Sequence, residues 1–251
     1  VELLGWKFGS TTFILKQIGD GLAINEYQAK EILAKYVVKI AEGGLAYSPE
    51  ESVQRTSEID GNIWVVKAQI HSGARGKAGG IRICKTHSEV KEAAEELLGK
   101  NLITHQTGPA GKICSRVYIE AGTDIAKELY LCFLIDRSHE RSVMIGSAQG
   151  GMEIEEVAET SPDAIKKIDI EPAVGLKDFQ ARDMAFTLGL EATQLSHAVK
   201  TIKGCYRALR DFDANMLEIN PLIVTGGGEL IILDAKMNFY DNASCGLHEI
   251  S

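Results

Sequence analysis

Lys67 stands inside the apolar run Ile63-Trp64-Val65-Val66-Lys67-Ala68-Gln69-Ile70, where an ammonium group is costly unless an anion meets it. The segment that follows, Ser72 to Gly80, reads SGARGKAGG and holds four glycines and two cations, Arg75 and Lys77. Glycines leave backbone N–H groups open to approach and the cations add charge, so strand lysine and loop together suit a phosphate. The spacing is neither a Walker A loop nor a GxGxxG dinucleotide turn. A solvated hairpin loop is the alternative.

A second constellation is Glu218-Ile219-Asn220-Pro221 with Asp234-Ala235-Lys236. Glu218 and Asn220, two apart on a strand, face one side, and Asp234 can lie opposite them across a ladder. Such oxygen donors suit Mg²⁺, which takes one or two carboxylates and fills its shell with water and substrate phosphate. A polar solvent face is the alternative, set against the apolar neighbours Met216, Leu217, Ile219, Leu222, Ile231, Ile232 and Leu233. A weaker third pattern puts Glu120 and Glu128 on either side of AGTDIAK. That stretch suits either the adenine and ribose end of a nucleotide or a surface loop. The histidines show no HxH or HExxH spacing and the five cysteines no CxxC, so neither set is assigned a metal. Buried thiols in a reducing cytoplasm or organelle matrix are expected.

The elements that must position these groups follow from periodicity. Residues 24–36 carry a helical stripe, and Ser48-Pro49-Glu50-Glu51 caps and opens a second helix. Strands are predicted at 63–70, 81–84, 117–120, 128–135 and 143–147, and helices at 88–98, 178–192 and 194–210. Residues 216–220 and 230–236, joined through Gly226-Gly227-Gly228, predict a β-hairpin. Strands and helices mix without strict alternation, so the class is α+β.

Composition bounds the partners. The 251 residues are 45% hydrophobic and 25% charged, which predicts a soluble globular protein, and 27 basic against 35 acidic residues leave a net charge of −8. Such a surface repels polyanions, so no nucleic acid is expected; no apolar run reaches bilayer length, so no membrane is expected either. Any phosphate must be held by a local basic cluster. The first methionine is Met144, so the chain is expected to be an excerpt or an extended reading frame.

Six ordered blocks, NEYQAKEIL, WVVKAQIHSGARGKAGG, TDIAKELYL, GGMEIEEVAE, LEINPLIVT and LDAKMNFYDNA, resemble the ATP-grasp portion of the β subunit of succinyl-CoA synthetase (ADP-forming succinate-CoA ligase) and of its relative malate-CoA ligase. Leu22 stands where that family starts with Met, Asn25 where His is usual, Val38 where Gly is common, and Ala74 where Gly is frequent. The resemblance implies a two-lobed α+β ATP-grasp fold over residues 22–243, without the C-terminal flavodoxin-like CoA-ligase domain. The smaller lobe is expected at about 41–123 and the larger at 22–40 plus 124–243, flanked by a non-family extension, 1–21, and a truncated tail, 244–251.

Roles follow from the same resemblance. Lys67 is similar to the strand lysine that binds ATP phosphate, and Ala74, Arg75 and Gly76 to the mobile loop over the nucleotide. Glu120 and Thr123 resemble contacts to the adenine end, and Glu128 a further nucleotide contact. Asn220 and Asp234 resemble the Mg²⁺ ligands. Glu218 resembles the acid that orients a phosphohistidine carried by a partner α subunit. The implied activity is Mg²⁺- and ATP-dependent (or GTP-dependent) phosphoryl transfer to that histidine, within ligation of succinate or malate to CoA. An inactive fragment that only binds nucleotide, or another ATP-grasp carboxylate ligase, is the alternative. On the sequence alone, Lys67→Met is expected to keep the fold and to weaken ATP binding.

Overall fold

The computed structural model describes residues 22–36, 38–73, 75–104 and 106–240. The expected extension, 1–21, and tail, 244–251, lie outside the described residues. The chain divides into two compact units. One holds Asn25–Tyr27 and Ala41–Asp124; the other holds the residues up to Ile24, Gln28–Ile40 and those from Ile125 on.

The smaller unit is a four-stranded antiparallel sheet in the order β2 (Gly43–Ala46), β7 (Val117–Ala121), β3 (Trp64–Ala68), β4 (Ile81–Cys84). Helices α2 (Pro49–Thr56) and α3 (His87–Leu97) start where the chain supplies caps: the Ser48 hydroxyl accepts from the Glu51 N–H at 3.1 Å and Thr86 from the Glu89 N–H at 3.2 Å. Alternation along the strands decides the faces. Trp64, Val66 and Ala68 on β3 with Val117 and Ile119 on β7 join Val90, Ala94 and Leu97 of α3 in the core. Lys67 and Glu120 therefore share the opposite face. Two short strands, β5 (Asn101–Leu102) and β6 (Lys112–Ile113), pair apart from this sheet.

The larger unit is an antiparallel seven-stranded sheet. Its order is β1 (Leu22–Ala23), β13 (Ala235–Phe239), β11 (Ala214–Thr225), β8 (Ile125–Asp136), β9 (Arg141–Ser147) and β10 (Ile165–Ile170), with β12 (Leu230–Ile232) also paired to β11. Along β8, Leu129, Leu131 and Phe133 pack on one side with residues of α5 (Asp178–Thr187) and α6 (Leu195–Asp211). Tyr130, Cys132 and Leu134 face the other side, with Ile154 and Val157 of α4 (Ile154–Thr160). Helix α1 (Glu26–Ala34) begins in the smaller unit and runs on in the larger.

Two sequence expectations need correction. The helix expected to reach residue 192 stops at Thr187, because Gly189 adopts φ 69° and its N–H and that of Leu190 bond back to Phe186 and Ala185 carbonyls. The strand expected over 230–236 is split into β12 and β13: opposite the Asn220–Pro221 step, the Leu233 N–H bonds the Pro221 carbonyl and the Asn220 N–H the Asp234 carbonyl, each at 3.2 Å.

Candidate functional site

In the smaller unit the cation in the apolar strand is met by carboxylates. Lys67 Nζ lies 2.8 Å from Glu120 Oε1 and 3.1 Å from Glu26 Oε1. Arg75 Nη1 lies 2.7 Å from the other Glu26 oxygen and donates to the Ala68 carbonyl at 2.9 Å. Gln69 Nε2 also donates to Glu26 Oε2, at 3.1 Å. All four charged residues are buried, with Glu120 only 1% exposed. Two cations and two anions thus close on each other in a water-poor place, where each needs its partner. The loop behind Arg75 is folded tightly: the Gly80 N–H bonds the Arg75 carbonyl at 2.7 Å and the Gly79 N–H the Gly76 carbonyl at 3.0 Å, with Gly79 at φ 71°.

Lys67, Arg75 and Glu120 are therefore brought together, and Gly76 lies in the turn beside them. Thr123 stands after β7, its hydroxyl donating to the Ala121 carbonyl at 3.4 Å. Ala74 lies outside the described residues. Glu26 and Gln69 were not singled out by sequence reasoning. An acid in the first turn of a helix already has a local explanation in the helix dipole, so nothing in the pattern points to Lys67.

In the larger unit the ladder arranges a second group. Glu218 on β11 stands opposite Cys132 on β8 and opposite Lys236 on β13. Between Ile219 and Leu222 the pairing with β8 slips by one residue, a bulge that holds the cis Asn220–Pro221 step. The Asn220 side chain is fixed there: its Oδ1 accepts from the Gly151 N–H at 2.8 Å and its Nδ2 donates to the Met152 carbonyl at 2.9 Å. The Gly150–Gly151 turn also lies on β8, where the Gly150 N–H bonds the Glu128 carbonyl at 3.0 Å. So Glu128 and Asn220 meet one turn, Asp234 adjoins Asn220 through the backbone, and Glu218 faces Lys236 rather than Asp234.

The surroundings of Glu218 set its chemistry. Burial pushes its carboxyl above the usual carboxylate range; Lys236 pulls it back in part, and Glu155 pushes it up further. The Tyr130 hydroxyl is fully buried beside Cys132 and Glu218, and burial raises it too. The described cysteines, Cys84, Cys114, Cys132 and Cys205, are free and buried, and burial raises each thiol, which makes them poor nucleophiles.

The raised Glu218 carboxyl gives a pH prediction. Below its ordinary value of 4.5 the folded and unfolded groups are both protonated and contribute no difference. As pH rises, the unfolded group ionises first, so this residue lowers stability from there up to its folded value. Glu218→Gln is therefore expected to melt above the parent at pH 7, with the gap closing as pH falls toward 4.5. Equal melting temperatures at pH 7, or a gap that widens in acid, would contradict the assigned environment.

Among the described residues no group of three or more His, Cys, Asp or Glu side chains could hold a metal unaided. The donors that are present fit a different kind of ion. Asn220 has a pinned amide oxygen that still has a lone pair, and Asp234 adjoins it through the backbone; donors of these types suit Mg²⁺, which draws its remaining ligands from water and phosphate.

Comparison with known proteins agrees with this architecture. The family model described as "ATP-grasp domain" matches residues 23–224. The chain belongs to the ATP-grasp family. This ATP-grasp chain is 54% identical, over 228 residues, to a probable malate–CoA ligase subunit β of Mesorhizobium japonicum, covering 91% of this chain and 58% of the relative. It is 53% identical to a succinate–CoA ligase [ADP-forming] subunit β of Bdellovibrio bacteriovorus over 88% of this chain and 57% of that one. It thus spans little more than half the length of these curated relatives. Among solved structures, ATP citrate lyase from Methanothrix soehngenii superposes with a TM-score of 0.70 at 20% identity, covering 92% of this chain and 55% of that one. A dinucleotide-forming acetyl-coenzyme A synthetase of Ca. Korarchaeum cryptofilum gives 0.65 at 20% identity, covering 92% and 99%. At such identity these two speak for the fold alone. Among the described residues no helix is long and apolar enough to cross a membrane.

Proposed function

We propose that this chain is the nucleotide-binding portion of the β subunit of an acid–CoA ligase for succinate or malate. The observation that carries the proposal is the convergence of Lys67 and Arg75 on one carboxylate, since a pair of fixed donors that grips a carboxylate also suits phosphate oxygens. In this reading Lys67, Arg75 and the loop around Gly76 contact the phosphates of ATP or GTP, with Ala74 in the same loop. Glu120, Thr123 and Glu128 serve the rest of the nucleotide. Asn220 and Asp234 hold Mg²⁺, which supplies positive charge for phosphate oxygens.

The half-reaction is phosphoryl transfer between the nucleotide and a histidine on a partner α subunit. In-line transfer spreads charge over the phosphoryl oxygens, so positioning and fixed cations supply most of the catalysis. Glu218, a carboxylate buried beside Lys236, can accept the imidazole N–H of that histidine and hold the ring in one orientation. CoA and the dicarboxylate would meet the remainder of the ligase and the partner.

Calorimetry and a transfer assay separate the roles. Asp234→Asn removes a full negative charge from the divalent site, so it is expected to raise the Mg²⁺ concentration needed for ATP binding by about tenfold, while Glu218→Gln leaves ATP and Mg²⁺ binding intact and slows phosphorylation of an added α subunit. If both variants shift the Mg²⁺ requirement equally, the division of roles is wrong. A second reading has this chain bind nucleotide without completing ligation. Co-purification with an α subunit followed by a CoA-ligase assay of this chain decides between the two.

A further inference from the structure

Glu26 is the one member of the buried charge cluster that the proposed function leaves without a task. Both its oxygens are engaged: Oε1 by Lys67 at 3.1 Å, and Oε2 by Arg75 at 2.7 Å and Gln69 at 3.1 Å. It is only 4% exposed, as is Arg75. Glu120 is also on Lys67, so carboxylates engage both cations inside this unit. Cations held by carboxylates pull less on a polyphosphate, and an arginine closed onto a buried carboxylate offers less of its fork to one.

We propose that Glu26 is an internal stand-in for nucleotide phosphate. Its carboxylate holds Lys67 and Arg75 together and keeps the glycine loop folded until phosphate oxygens displace it from Arg75. This rests on the reading that Lys67 and Arg75 bind nucleotide phosphate, and it adds a positioning residue to that site. Three features support the exchange. A carboxylate and a phosphate edge both offer two oxygens to a guanidinium, so one can replace the other on Arg75. Arg75 opens a run with glycines at 76, 79 and 80, residues that can take up other backbone conformations once the turn opens. Glu120 stays on Lys67 when Glu26 lets go, so the lysine is not left without a counter-ion.

A residue that only holds the fold together and a competing anion give opposite signs. Glu26→Gln keeps the shape and a hydrogen-bonding oxygen but removes one negative charge from beside Lys67 and Arg75. The full chain carrying Glu26→Gln is expected to bind ATP about tenfold more tightly by calorimetry, with adenosine, which lacks phosphate, unchanged. Unchanged or weaker ATP binding overturns the inference. Glu26→Asp covers the case in which the Gln variant fails to fold: the shortened carboxylate cannot span Lys67 and Arg75, so ATP binding should again tighten, by less, and a failure to tighten overturns the proposal equally. Arg75→Gln isolates the underlying reading, because Glu26 keeps Lys67 and Gln69. If Arg75→Gln leaves ATP affinity unchanged, the phosphate assignment itself fails. If it weakens ATP and Glu26→Gln does not tighten it, only the stand-in role fails.

Discussion

Lys67→Met is expected to destabilise the smaller unit by about 3–5 kcal/mol, the cost of removing one partner from a buried ion pair. The ammonium serves Glu120 at 2.8 Å and Glu26 at 3.1 Å on a face of β3 where both carboxylates are almost fully enclosed. Methionine fills the space of the aliphatic stem, so lost packing contributes little and the effect is electrostatic. Two buried carboxylates then lose the ammonium that they share. Urea unfolding measures the loss, and the double variant Lys67→Met, Glu120→Gln is expected to recover most of it by removing one of those two buried charges. A single variant within about 1 kcal/mol of the parent would mean that water reaches these carboxylates. Nucleotide affinity measured on Lys67→Met alone would mix binding with unfolding, so it is read against Glu120→Gln and the double variant together.

Gly150→Ala should be the second severe change. A methyl group built there meets the backbone N, C and O of Leu129, each at 2.5 Å, in a strand with sheet neighbours on both sides. Backbone in the middle of a sheet cannot swing aside as a side-chain tip can, so the turn must lift off β8. The cost expected for such overpacking is about 3 kcal/mol, at the upper end of the usual range. Lifting the turn also withdraws the Gly151 N–H from Asn220, and with Asn220 in its proposed role this should raise the Mg²⁺ needed for nucleotide binding. Gly151→Ala is the control. Its methyl group meets the movable Glu128 carboxylate, and the residue adopts φ 74°, so the cost is mainly the left-handed conformation, about 1–2 kcal/mol. Thermal melts that rank Gly151→Ala as the more damaging would refute the packing argument.

What was legible in the sequence was local. The strand around Lys67, the glycine loop, the Ser48 cap and the shared face of Glu218 and Asn220 all follow from period-two alternation or from turn and cap chemistry within a few residues. The partners of those groups were not legible. Glu26 and Lys67 are 41 residues apart and Lys67 and Glu120 are 53 apart, distances at which no spacing rule operates. For that reason the sequence marks Lys67 as a cation in need of an anion but cannot say that the protein supplies two. The bulge at Asn220–Pro221 was hidden likewise. Pro221 hints at a defect in the ladder. Only pairing with β8 on one side and the split between β12 and β13 on the other reveals which way Asn220 is held.

The pairing of Leu22 with Phe239 and of Ala23 with Asn238 joins the first described strand to the last one. A polypeptide leaves the ribosome from its amino end, so β1 emerges early and waits for nearly the whole of this sequence to be translated before its partner exists. The sheet of the smaller unit has all its strands once Ala121 has emerged. Glu26 is synthesised before Lys67, Arg75 and Glu120, and the charge cluster can therefore close while most of the larger sheet is still untranslated. Contacts that span so much chain are slow to form and leave an edge uncovered meanwhile. The vulnerable interval in the biogenesis of this protein is thus the translation of residues 125–239, when β8 and β9 are made and β11 and β13 are still to come.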